Sequence, residues 1–435
     1  MRRTDPENHG PVRYGPHLPD DGLPPLPELT GVLAAAAGRA RTEPVGGGRA
    51  LLEAACGYWA RRGLRTRPEQ VAAGPGAPSL LLALTAALGG DVLVPRPCTA
   101  WWAPYARLLG RPVFHVATPA ECGGVPDPYA LLETVRRVRD EGGRPRLLVL
   151  SVADDPTGTV APPELLHQVV EAAAGEGLHL VSDETWRDTL HPADDADDAD
   201  ETGASAPVLL SPAEMLPERV TVVTDLAGAL LPPAWPAAVA RFPTGPDGTV
   251  LHARVLDVLT ALGAPPAGPV AAAAGYALSE PAPVTARVAA AARLHARVAR
   301  ALHGTLVDAG ALALPPRAGR QLYADLGPLR PALAARGVGD AQDLEDHLTH
   351  RLGMPAPGGH RFGDDLGALR VRLATGPLLG TTDAERTECL ASPEPLELPQ
   401  VHRALSDLRA VLDELRSPPG EDLRDDGARR RESPR

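Results

Sequence analysis

Short apolar runs alternate with helix-forming stretches from residue 50 onward, and this alternation restricts the fold more than any other feature. Apolar residues at helical spacing mark RALLEAACGYWARRG, PSLLLALTAALG, AWWAPYARLLG, ALLETVRRVRDEGG and PELLHQVVEAAAGEG. Between them stand QVAAG, DVLVP, PVFHV, RLLVLSV and HLVSDE, followed by VTVVTD and AAVARF. Strands this apolar are buried on both faces, which calls for helices on both sides of a largely parallel sheet. The chain is therefore predicted to be α/β. Ligands in such sheets bind at the carboxyl ends of the strands, so the residues just after each strand are the place to look for chemistry.

A second unit follows. The stretch 277–309 predicts a long helix leading into it. Beyond that helix lie QLYADL, a helix around DAQDLEDHLTHRLG, the turn PAPGGHRFG, the strand ALRVRLATG and the helix LPQVHRALSDLRAVLDELR. The expected layout is an N-terminal arm (1–45), a large domain (46–275), an interdomain helix with a smaller α+β domain (276–416), and a charged, apolar-poor tail (417–435) predicted to be disordered. The acidic insert at 193–206 reads as a solvated surface loop, because it lacks the ligand spacing of a calcium site.

Composition removes several function classes. The chain has 435 residues, 44% of them hydrophobic, which is enough for a large core plus a second domain. The net charge is -12, so no nucleic-acid footprint is expected. No apolar run is long enough to span a membrane, and MRRTDPENHG is not a signal peptide, so a cytoplasmic protein is expected. Cys56, Cys98, Cys122 and Cys389 form no CxxC pair and read as ordinary thiols. His347 and His350 have no third ligand near them in sequence, so no metal site is expected. All 43 Lys+Arg residues are arginine; the chain contains no lysine. Drift from Lys to Arg in a GC-rich coding background is the simplest account of that.

Several segments stand in a telling order. They are GGGRALLEAACGYWARRGLRTRPEQVAAGPGA, VLVPRPCTAWWAPYARLLGRPV, DDPTGTV, VSDETW and PGGHRFG followed by LRVRLATG. In that order they resemble the class I/II aminotransferases, fold-type-I pyridoxal-phosphate enzymes, over residues 45 to 415. The resemblance implies an aminotransferase-like large domain, a mostly parallel sheet between helices, a smaller α+β domain and a homodimer. It also implies a lysine that holds pyridoxal phosphate as a Schiff base and shuttles a proton.

Carried over residue by residue, the resemblance places Asp183 at the pyridine nitrogen. Arg370 stands at the substrate carboxylate, with Arg372 two residues on and facing the same way in a strand. Gly76 and Ala77 fall at the phosphate turn, with the Ser79 hydroxyl nearby. Thr157 and Gly158 fall in the Pro-Thr-Gly turn. Each has a plainer reading: a capping Asp, an ion-paired strand edge, and ordinary turns.

Six departures gather on the implied cofactor. Asp155 replaces the asparagine that would donate to the ring hydroxyl, and a carboxylate cannot donate. Thr99 takes the ring-stacking position, while Trp101 and Trp102 stand out of register and read as helix packing. Trp186 replaces a tyrosine. In TVVTDLAGALLPPAWPAAVARF, aligning Trp235 puts Asp225 at a phosphate serine, Gly228 at the Schiff-base lysine and Pro236 at a phosphate arginine. No histidine stands in that loop to serve as an alternative base.

Two kinds of function follow. One is an aminotransferase-family protein unable to form the Schiff base, holding an amino or keto acid through Arg370. The other is a non-catalytic binding or regulatory pseudoenzyme, with an active paralogue as a candidate partner. A small carboxylate or an amine is the expected ligand. With no pyridinium among the acids, the pocket is expected either to collapse, with an arginine drawn onto Asp183 or Asp155, or to hold a cationic ligand.

Overall fold

The computed structural model describes residues 11–16, 22–38, 42–192 and 209–416. The acidic insert, the charged tail and much of the N-terminal arm lie outside the described residues.

Seven strands form the main sheet: β1 (Val71–Gly74), β2 (Asp91–Arg96), β3 (Val113–Ala117), β4 (Pro145–Ser151), β5 (His179–Asp183), β6 (Val220–Asp225) and β7 (Ala238–Arg241). Their order is β1-β7-β6-β5-β4-β2-β3. β7 runs antiparallel to both β1 and β6, and every other neighbouring pair is parallel. The α/β class with a mostly parallel sheet is therefore observed. Nearly every residue of β4, β5, β6 and β7 is buried, as continuous apolar strands require. β6 and β7 pair directly, with Asp225 opposite Ala238, so residues 226–237 close a hairpin at the carboxyl edge of β6.

The helices Pro246–Ala261 and Gly268–Leu278 were not marked by the sequence pattern. The second is alanine-rich, and Ala273, Ala274 and Ala277 are wholly buried. A helix apolar on most sides has no polar stripe to give the helical period away.

A second, antiparallel sheet holds β8 (Leu312–Ala313), β9 (Gln321–Asp325) and β10 (Arg370–Ala374), in the order β10-β9-β8. It packs a separate core of Leu, Val and Ala residues. The 27-residue helix Ala282–Asp308 joins the two units. Pro283 sits in its first turn, where the missing N–H costs nothing. Val284 packs into the large core, whereas Leu294, Val298, Leu302 and Leu306 pack into the small one.

Candidate functional site

The carboxyl ends of β5 and β6 open into a cavity of about 310 Å³, closed on its other side by residues of the second sheet. Gly76, Thr99, Asp155, Asp183, Trp186, Asp225, Gly228 and Pro236 all line it. Trp101, Thr185, Arg320 and Arg372 complete the polar and aromatic wall.

Asp183 ends β5 and is 5% exposed. Its Oδ1 accepts the Thr185 backbone N–H at 3.0 Å, and its Oδ2 accepts the Trp102 indole N–H at 3.3 Å. Burial pushes its carboxyl up to about 6, against the lowering effect of the Thr185 hydrogen bonds. Trp102 is thus more than helix packing: it is buried and supplies a donor to this acid.

Asp225 ends β6. Its Oδ2 accepts the Ala77 backbone N–H at 2.8 Å, and its Oδ1 accepts that of Ala227 at 3.0 Å. Burial raises its pKa, and those two amides oppose the rise. Ala77 opens the helix Ala77–Leu88, and Gly76 before it has φ 120°, a conformation that side chains rarely adopt. The Ser79 hydroxyl donates to the Gly76 carbonyl at 2.7 Å and does not line the cavity.

Asp155 is held by Arg372, whose Nε donates to Oδ1 at 2.8 Å with both side chains largely buried. Thr99 donates its hydroxyl to the Asp155 carbonyl at 3.0 Å. Thr157 turns away, its hydroxyl on Asp154 Oδ2 at 2.6 Å, and Gly158 packs against the Gln321 carbonyl. Burial pushes the Asp154 carboxyl up to about 7.

Arg370 does not reach the cavity. Its Nε donates to Asp325 at 3.0 Å and its Nη1 to Asp364 at 3.1 Å. The arginine expected at a substrate carboxylate is therefore replaced at the cavity wall by Arg372, one alternation further along β10, and by Arg320. Arg320 escaped sequence reasoning because it precedes β9 without any motif. Its Nη2 donates to the carbonyls of Ala227 (3.0 Å) and Gly228 (2.9 Å), and its guanidinium lies 5.1 Å from the centre of the Trp186 ring.

The expectation of a collapsed pocket is half met. An arginine is drawn onto Asp155, yet the cavity stays open. Gly228 has no room for a side chain, since a Cβ there would overlap the Thr185 carbonyl oxygen. Among the described residues, no group of three or more His, Cys, Asp or Glu is placed to hold a metal ion. None of the described helices is long and apolar enough to cross a membrane.

The model of the aminotransferase class I and II family matches residues 19–377. The chain belongs to the class I and II aminotransferases. Among curated relatives, a probable aspartate/prephenate aminotransferase of Thermus aquaticus is 29% identical over 56% of this chain and 63% of its own length. The aspartate/prephenate aminotransferase of Thermus thermophilus is 30% identical over 46% of this chain and 48% of its own. The match thus spans less than two thirds of either relative. Among solved structures, aspartate aminotransferase from Thermus thermophilus with maleate shares a TM-score of 0.68 at 23% identity, over 87% of this chain and 88% of that one. Aromatic aminotransferase from Pyrococcus horikoshii shares a TM-score of 0.71 at 18% identity, over 93% and 95%. These likenesses establish the shared fold, and the family implies pyridoxal phosphate as cofactor.

Proposed function

We propose that this class I and II aminotransferase-family protein does not carry out Schiff-base transamination, and that its cavity takes a small amine. The observation that carries the reading is the Asp225 carboxylate seated on the Ala77 amide. That helix start is where the family resemblance places the phosphate of pyridoxal phosphate. A carboxylate already there repels a phosphate dianion and uses the donor it would need.

The remaining residues fit the cofactor no better. The chain has no lysine, and Gly228 stands at the aligned position with no space for one. Pro236 offers neither charge nor donor. Asp183 is engaged by an indole N–H and a backbone amide, and Asp155 by Arg372.

An amine suits what is present. Asp183 and Asp225 accept only neutral donors and form no ion pair among the described residues. Carboxylates removed from water in this way are costly until a cation joins them. The indoles of Trp101 and Trp186 add aromatic faces that attract an ammonium group. A second reading is favoured by Arg372 and Arg320 on the same wall: the ligand is an amino acid, its carboxylate on the arginines and its amine on the acids. On either reading the protein is a binding or regulatory relative, and a homodimer is the assembly the family implies.

Two measurements test this. Pyridoxal phosphate is added, the protein is reduced with borohydride, and adducts are mapped by peptide mass. No side-chain adduct is expected; an adduct with a visible band that survives gel filtration overturns the loss of Schiff-base chemistry. A thermal-shift series then compares amines, amino acids and keto acids. Stabilisation by amines or amino acids is expected, and stabilisation by keto acids alone overturns the ligand assignment.

A further inference from the structure

The acids of the large cavity differ in how they are neutralised. Asp155 has Arg372, whereas Asp183 and Asp225 have only neutral donors among the described residues. Arg320, also in the lining, gives its Nη2 to the hairpin carbonyls of Ala227 and Gly228. That hairpin, 226–237, forms one wall of the cavity and backs onto a second, smaller cavity of about 70 Å³ beside the helix Ala282–Asp308.

The two acids without an ion pair share a face of the sheet but are held apart. Asp183 stands opposite Val223 in the β5–β6 register, so Asp225, two residues on, points the same way. One strand spacing and two residues of rise set their Cα atoms about 8 Å apart. Each carboxylate is fixed by its own donors: Asp183 by the Trp102 indole and the Thr185 amide, Asp225 by the amides of Ala77 and Ala227. Thr185 ties the two strand ends together without joining the carboxylates. Its N–H is on Asp183, and its hydroxyl oxygen accepts the Asp225 N–H at 3.1 Å. To converge on one small cation, the acids would have to give up these bonds. Both keep acceptor sites in reserve, since a carboxylate offers about four.

The rest of the lining is poor in donors. Pro75, Pro78, Pro233 and Pro236 have no N–H to give, and Trp101 and Trp186 add indole faces. Walls of this kind favour an apolar middle between charged ends. One water needs about 10–15 Å³ of such space, so about 310 Å³ leaves room for several methylenes as well as two ammonium groups.

Given the amine reading of this cavity, on which this rests, we propose that the ligand is a linear alkane diamine, with one ammonium on Asp183 and the other on Asp225. The methylenes between them lie along the proline and tryptophan walls. A monoamine would neutralise one acid and leave the other buried without a counter-ion, which is costly; a diamine neutralises both.

The test is calorimetric titration of the full chain at mildly alkaline pH. The α,ω-diamines of propane, butane and pentane are compared with alkylamines that replace one ammonium by a methyl group, so that size is kept and one charge is lost. At least one diamine is expected to bind one per chain and at least about tenfold tighter than its matched monoamine, the scale of one charge-assisted hydrogen bond. Asp183→Asn and Asp225→Asn each remove one of the two charges, and in either variant that preference should disappear. Equal binding of diamines and matched monoamines, or an unchanged preference in either variant, overturns the two-ended assignment and leaves the amine reading standing. Absence of binding by every amine overturns both. The comparison in the unaltered protein needs no variant, so a misfolded substitution leaves the test intact.

Discussion

The Asp225 carboxylate and the Ala77 amide meet at 2.8 Å, so an internal anion caps the helix Ala77–Leu88. A helix start attracts negative charge through its unpaired amides and its dipole. In this protein the chain supplies that charge itself, from the end of the neighbouring strand β6.

Removing the cap should therefore have two effects. Asp225→Ser is expected to lower stability by about 1–3 kcal/mol, the scale of charged hydrogen bonds to backbone amides. The same variant should bind pyridoxal phosphate non-covalently more tightly than the parent, because the amide is released and the repulsion is gone. Urea denaturation and an absorbance titration measure the two. Unchanged stability with unchanged affinity would show that the contact carries no weight.

Restoring a lysine should not restore the chemistry. Gly228→Lys drives a Cβ into the Thr185 carbonyl, so a loss of about 1–3 kcal/mol from overpacking is expected. No aldimine band should appear on adding pyridoxal phosphate, since Asp225 still occupies the Ala77 amide. A stable, coloured variant would contradict both points.

Arg372 and Arg370 should differ in what they support. Arg372→Met leaves Asp155 buried without its cation and is expected to cost about 3–5 kcal/mol. Arg372→Met combined with Asp155→Asn should recover part of that loss. Arg370→Met should leave amine binding in the large cavity unchanged, because its partners Asp325 and Asp364 lie outside the cavity lining. A denaturation cycle and a thermal-shift screen check these outcomes.

Asp183 sets a pH dependence. Its folded-state pKa of about 6 lies above the ordinary carboxylate value, so the folded state binds more protons than the unfolded one in between. Its contribution to stability therefore falls as pH rises from about 4 to about 6, by at most about 3 kcal/mol, and stays low above that. Asp154, pushed up to about 7, bends the curve in the same direction. Asp183→Asn should gain on the parent across that window, and amine affinity in the parent should rise as Asp183 ionises. Denaturant midpoints across pH give the first result and calorimetry the second; parallel curves for variant and parent would rule out this role.

The architecture was legible because strands such as RLLVLSV and HLVSDE are buried on both faces, and that leaves a pattern few other folds share. The acids of the site were legible for a related reason: Asp183 and Asp225 each end a strand, where a polar residue after an apolar run stands out. Arg370 and Arg372 were harder to separate. Both sit on one face of β10, and only about 7 Å of strand decides which one reaches the cavity. Trp102 and Arg320 act through contacts made by remote segments, and no local spacing announces such contacts.

The helix Ala282–Asp308 leaves one core near Val284 and enters the other near Leu294. Between those points its flank faces the smaller cavity instead of a filled interior. Side chains beside a void lose the contacts that resist displacement. The passage from 287 to 292 is thus less fully packed than the ends of this helix, which, among the described residues, both cores grip. A molecule filling that hollow would restore those contacts and stiffen the joint between the two sheets.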